Sequence, residues 1–204
     1  MLIALDLAIL PPPEVNARAV RLSAGLPRRE SRGLRLDEQH LPHVTLTQQF
    51  VDDADLDAVL NAADAVLRRQ PPLALCVTGA GQGGRTVWMA LERSAALDGV
   101  HERLMTALRP FERAEGTATA FHEGDARPRD AAWVRGYRVT AGGDAYAPHV
   151  TLGHATRPPT IQPFTFEATT VAACHLGRFC SCRRVLRRWE LNEPRSHGDA
   201  ESRT

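Results

Sequence analysis

Pro42-His43-Val44-Thr45-Leu46 recurs without change as Pro148-His149-Val150-Thr151-Leu152, in a chain of 204 residues. The interval is too long for a solenoid or propeller period and close to half the chain, so the pentapeptide marks two corresponding halves of one folded unit. Side chains alternate across a strand, so within each copy the histidine and threonine share one face while valine and leucine take the other. His43 with Thr45, and His149 with Thr151, are therefore predicted to stand on polar faces, with Val44, Leu46, Val150 and Leu152 packed beneath helices. Two such strands related by pseudo-symmetry bring two imidazoles and two hydroxyls to one cleft.

On the amino-terminal side, Leu2–Ile9 is an apolar run suited to a buried strand. Pro11–Pro13 stop it, and Val15, Ala19, Leu22 and Leu26 then recur at helical spacing through Glu14–Leu26. Val44–Val51 reads as a strand. Asp52 and Asp53 cap a helix carrying Leu56, Val59, Leu60, Ala63 and Leu67, which Pro71 and Pro72 end. Leu73–Thr78 and Thr86–Leu91 form a predicted hairpin around the turn Gly79–Gly84. That turn lacks the Lys-Ser/Thr of a nucleotide loop and precedes a strand, not a helix. Ser94 opens a helix through Leu97, Val100, Leu104, Ala107 and Leu108. Glu112–Asp130 is read as a long mobile loop, Ala132–Thr140 fits either a strand or a short helix, and Phe164–Leu176 and Cys182–Leu191 are two further strands. This order predicts an α+β fold: two pseudo-symmetric α/β lobes with mainly antiparallel sheets around a central cleft, one bilobal domain over 1–193 and a disordered tail over 194–204.

The chain carries 25 basic and 24 acidic side chains, a net charge of +1, so it has no global field that would make it a non-specific polyanion binder. All the basic residues are arginine, in keeping with a composition rich in Ala, Arg, Gly and Pro. The first apolar run is short and interrupted by Asp6, which fits neither a signal peptide nor a membrane span; a cytoplasmic protein is expected. Cys76, Cys174, Cys180 and Cys182 are too few for a disulfide framework, and the Cys-x-Cys spacing is not that of common zinc turns. No metal and no cofactor are expected.

Paired His-x-Thr units suit phosphodiester chemistry. A neutral imidazole takes a proton from water while a protonated one gives a proton to the departing oxygen, and histidine's ordinary pKa of about 6.5 makes both forms accessible near neutrality. Each threonine can donate a hydrogen bond to a non-bridging phosphate oxygen. The sequence leaves open which histidine plays which part.

The two motifs, His43-Val44-Thr45-Leu46 and His149-Val150-Thr151-Leu152, with the opening strand Leu2-Ile3-Ala4-Leu5-Asp6-Leu7 and the closing Val185–Leu191, resemble the 2H phosphoesterase superfamily, close to the RNA 2′,3′-cyclic phosphodiesterases labelled 2′-5′ RNA ligases. The resemblance implies the bilobal fold, a metal-independent hydrolase acting on 2′,3′-cyclic phosphate ends of RNA or nucleotides, catalytic His43 and His149, and phosphate-binding Thr45 and Thr151. Cleavage of 2′-5′ oligonucleotides or of a cyclic ADP-ribose phosphate, and an RNA-end binding module without turnover, are the alternatives. Relatives commonly have an arginine shortly after the second motif, where this chain has Gly153-His154. His154 is either a protonated stand-in for it or a solvent-exposed strand end. Arg184, in the cluster Arg178–Arg188, either borders the cleft or protects an edge strand. Tyr137, with Trp133, either stacks on a base or packs in the core. A monomer is expected.

Overall fold

The computed structural model describes residues 1–31 and 34–192; the tail expected over 194–204 lies outside the described residues. Among the described residues, eight strands and four α-helices follow in the order β1 (Leu2–Leu10), α1 (Pro13–Gly25), β2 (Val44–Asp52), α2 (Leu56–Leu67), β3 (Leu73–Gly83), β4 (Thr86–Leu91), α3 (Ala95–Leu108), α4 (Pro128–Thr140), β5 (His149–His154), β6 (Phe164–Ala168), β7 (Thr170–Gly177) and β8 (Ser181–Glu190). They build two four-stranded sheets, β2-β1-β7-β8 and β5-β4-β3-β6, with every recorded strand pair antiparallel. The expected α+β fold with two antiparallel sheets is present. Each motif opens an edge strand, β2 in the first sheet and β5 in the second.

Strand β1 shows how the pattern of residues positions the site. Its period of two sends Ile3, Leu5, Leu7 and Ile9 into the main core with Val44, Leu46, Val150 and Leu152. Ala4 and Ala8 face the other way, into a second cluster with Phe50, Phe121, Ala131 and Val134. Small side chains on that face let α4 approach the sheet, and Asp6, between Ala4 and Ala8, is fully buried there.

Three expectations need correction, and the alternative left open at 132–140 is settled as a helix. Glu112–Asp130 is not a free loop: 3-10 turns at Ala118–Ala120 and His122–Gly124 bury Ala120 and Phe121, and Arg113 N donates to Phe50 O at 2.9 Å. Packing of Phe121 edge-on to Phe50 anchors it, with ring centroids 5.9 Å apart. Residues 128–140 are helical, opened by Pro128 at the first position and by Asp130, which accepts from the Arg127 backbone N at 2.9 Å. Gly79–Gly83 belongs to a strand, and Phe164–Leu176 is two strands. After Ala168 the chain leaves the second sheet and enters the first at Thr170, so one apolar stretch serves both.

Candidate active site

His43 and His149 are held in the same way. His43 Nδ1 bonds the carbonyl of Leu41 at 2.8 Å, and His149 Nδ1 bonds the carbonyl of Ala147 at 2.7 Å, in each case two residues upstream. A carbonyl only accepts, so Nδ1 carries the hydrogen in both rings and Nε2 is the nitrogen left for other partners. Both histidines, Thr45 and Thr151 line one cleft of about 1120 Å³. Tyr146, three residues before His149, ties the halves together: its hydroxyl donates to Thr45 O at 3.0 Å. The Tyr146 ring lies flat on His101 with centroids 3.9 Å apart, and burial keeps His101 below its ordinary pKa.

Beneath the first motif lies Asp6, the ladder partner of Gln48. Thr45 Oγ1 and Gln48 Nε2 both donate to Asp6 Oδ2 at 2.8 Å, and His43 Nε2 stands 3.7 Å from the same oxygen. Burial pushes the Asp6 carboxyl above its ordinary pKa, against the opposing pull of His43, Gln48 and Thr45. The second motif has another environment. Among the described residues nothing accepts a hydrogen bond from Thr151, and His149 has the indole of Trp88 beside it at 5.2 Å between centroids. Burial, and then the nearby His43, hold His149 below its ordinary pKa.

Trp88 explains two of the three glycines of β3. A Cβ on Gly81 would come within 2.1 Å of Trp88 Nε1, and one on Gly83 within 3.1 Å of its ring. The indole therefore lies across bare backbone, which is why a glycine-rich segment that reads as a turn is a strand. Gly153 has a comparable cause: at φ +145 its Cβ would meet Leu26 Cδ1 at 2.9 Å and Leu34 O at 3.3 Å.

The far end of the cleft is cationic, with Arg85, Arg127, Arg129 and Arg178 against Glu30 and Asp130 in its lining. Asp130 is committed, accepting from the Arg127 backbone and side chain and from Phe179 N at 3.2 Å. Although burial alone would raise it, these bonds keep the Asp130 carboxyl below its ordinary value. The Arg127 guanidinium lies 3.7 Å over the Phe179 ring.

The sequence profile of the 2′-5′ RNA ligase superfamily matches residues 11–180. The chain belongs to the 2′-5′ RNA ligase superfamily. Among solved structures, Escherichia coli LigT complexed with NADP+ is 20% identical, covers 95% of this chain and 100% of its own, and superposes with a TM-score of 0.61. LigT complexed with phosphate gives 22%, 94%, 99% and 0.59, and TT0787 of Thermus thermophilus gives 19%, 94%, 99% and 0.61. At these identities the structures establish the fold. No curated protein sequence matches the chain.

Against this superfamily framework the sequence-predicted residues divide. His43, Thr45, His149, Thr151, His154 and Tyr137 all line the cleft. Burial, Arg127 and Arg85 depress the pKa of His154, and the permanent positive charge at this end of the cleft is that of the arginines. Tyr137 is 4% exposed and Trp133, edge-on to it, 44%, so the aromatic surface open to a ligand is that of Trp133. Arg184 stands outside the lining, exposed on the edge strand β8 opposite His175. Motif and spacing do not single out Asp6, Gln48, Trp88 or Arg127 as site residues. Asp6 carries the available signal, a lone carboxylate inside a strand otherwise apolar throughout. Among the described residues, the one grouping of three potential metal ligands is Asp6, His43 and Cys182, within 4.8 Å of one another. It fits a metal poorly, since burial keeps the Cys182 thiol protonated and Asp6 Oδ2 already accepts two hydrogen bonds. No helix among the described residues is long and apolar enough to cross a membrane.

Proposed function

We propose that the protein is a metal-independent phosphodiesterase that opens the 2′,3′-cyclic phosphate ends of RNA or nucleotides. The observation that carries this reading is the matched fixing of two imidazoles at Nδ1, which leaves two Nε2 atoms for proton transfer at one cleft. Superfamily membership supports phosphoester chemistry, and LigT structures complexed with phosphate and with 3′-AMP support the ligand class.

His149, kept neutral by burial, acts as the base: Nε2 takes a proton from water as its oxygen attacks phosphorus. His43, with the Asp6 carboxyl beside Nε2, acts as the acid and gives its proton to the departing ribose oxygen, so the P–O bond breaks without forming an alkoxide. Thr151 donates to a non-bridging oxygen whose charge grows in the transition state. Thr45 is committed to Asp6 and serves that pair.

The test is release of phosphomonoester from a 2′,3′-cyclic nucleotide in the presence of EDTA. His43→Ala and His149→Ala are each expected to lose on the order of 10²–10⁴ in kcat. Full activity in both variants overturns the proposal.

A further inference from the structure

We infer that the Arg127 end of the cleft is a second anion subsite, which takes a backbone phosphate of an RNA strand upstream of the reacting end. The inference rests on the phosphodiesterase reading for the identity of the strand, and on separate residues for the subsite. Strand β5 runs along the cleft, contributing His149, Thr151 and His154 to its wall. At about 3.3 Å per residue its two ends lie about 16 Å apart. One phosphate cannot touch both.

Arg127 is built to receive an anion. Its Nε donates to Asp130 Oδ2 at 2.9 Å, Nη2 donates to Asp130 Oδ1, and the guanidinium plane is stacked on Phe179. These contacts lock the side chain in one orientation and use one edge of the fork. The remaining nitrogen, Nη1, has no partner among the described residues and is covered, so a phosphate that meets the exposed part of this guanidinium at the cleft wall gains Nη1 only after a small local shift. An unpartnered buried donor is costly and is satisfied when an acceptor arrives. Asp130 is not that acceptor, because it is held at the Nε–Nη2 edge of the fork.

The support under Arg127 is itself strained. Phe179 and Cys180 hold φ of +64 and +52, successive left-handed positions without glycine, and Phe179 N is tied to Asp130. Residues keep such conformations where the surroundings over-determine them, often at ligand sites. Arg85 and Arg178 add charge at the same end. Each has one carboxylate nearby, Glu30 at 3.7 Å and Asp125 at 3.6 Å. Glu30 is also committed to the Thr156 backbone N.

The experiment measures binding of 3′-phosphate-ended oligoribonucleotides of one to four nucleotides by fluorescence anisotropy, alongside turnover of the matching cyclic-ended series. Affinity and kcat/KM should rise with length. In Arg127→Gln the ratio between the longest and shortest ligand should collapse by at least about tenfold, and the log–log salt dependence for the longest should fall by about 0.7. Arg85→Gln, an exposed change in the β3–β4 turn, should weaken the same ratio and carries the test if Arg127→Gln does not fold. Equal affinity for one and four nucleotides in the parent, or a length effect that survives in both variants, overturns the subsite. Length-dependent binding that needs Arg127, without turnover of any ligand, leaves the subsite standing and sinks the phosphodiesterase reading.

Discussion

Thr45 donates its hydroxyl hydrogen to Asp6 Oδ2 across 2.8 Å, in the buried space under His43. Thr151, at the same position of an identical pentapeptide, has no such acceptor among the described residues. Five identical residues thus sit in two different electrostatic settings, because β1 supplies a carboxylate to one and β4 supplies Trp88 to the other.

That difference predicts unequal effects of the same substitution. Thr45→Val leaves buried Asp6 one donor short and should cost about 1–3 kcal/mol of stability. Thr151→Val should cost little stability and lower kcat/KM by roughly ten- to a hundredfold through the lost phosphate contact. Urea denaturation and steady-state kinetics on both variants check this; the opposite assignment of the two losses would refute it.

The Asp6 carboxyl, raised above its ordinary 3.8 by burial, gives a prediction for stability against pH. A raised folded value means that the fold favours the protonated form. That contribution is complete below the unfolded value and is lost as pH rises through the folded value. Asp6→Asn, neutral throughout, should therefore be more stable than the parent at neutral pH, with its advantage narrowing as the pH falls towards 3.8. Denaturation midpoints across acidic and neutral buffers measure it, and a less stable variant at neutral pH would contradict it.

In the proposed reaction the group that sets the acidic limb is His149, whose pKa lies below the ordinary 6.5. A base with a depressed pKa stays neutral further into acid, so the acidic limb of kcat/KM should lie below 6.5. Trp88→Ala, which admits water beside the ring, should shift that limb upwards. An acidic limb above 6.5 in the parent would exclude His149 as the base.

Gly81→Ala tests the seat of the indole. The added methyl would sit 2.1 Å from Trp88 Nε1, so the ring must leave the strand. Overpacking of this kind costs about 1–3 kcal/mol, and KM should rise as the cleft wall is displaced. Wild-type melting temperature and KM in this variant would show that Trp88 has room to spare.

What the sequence makes legible is whatever depends on a local period. The apolar alternation of β1, the helical spacing of α2 and the Ser94 cap, which accepts from Leu97 N at 3.2 Å, all stand where expected. The repeated His-x-Thr places both histidines at the cleft. Features set by distant neighbours are hidden. Helix α4 buries Asp130, Ala131, Val134 and Tyr137, yet intervening arginines dilute that face below recognition. Gly79–Gly83 is a strand because of a tryptophan on the next strand, and Asp6 matters through a threonine 39 residues away. Arg127 falls in a stretch with the composition of a loop, where no period exists to point at it.

The order of strands has a consequence for how the molecule holds together. Strand β3 follows the first motif in the chain but pairs with β4 and β6, while β7, after the second motif, pairs with β1. Each sheet joins two strands from the first half of the chain to two from the second. A nick at the Gly84–Arg85 turn would separate the two copies of the pentapeptide onto fragments that each lack sheet partners and each hold what the other needs. Neither fragment closes a sheet by itself, and the pair can reassemble only by exchanging strands, so the two histidines reach a common cleft through mutual completion of their supports.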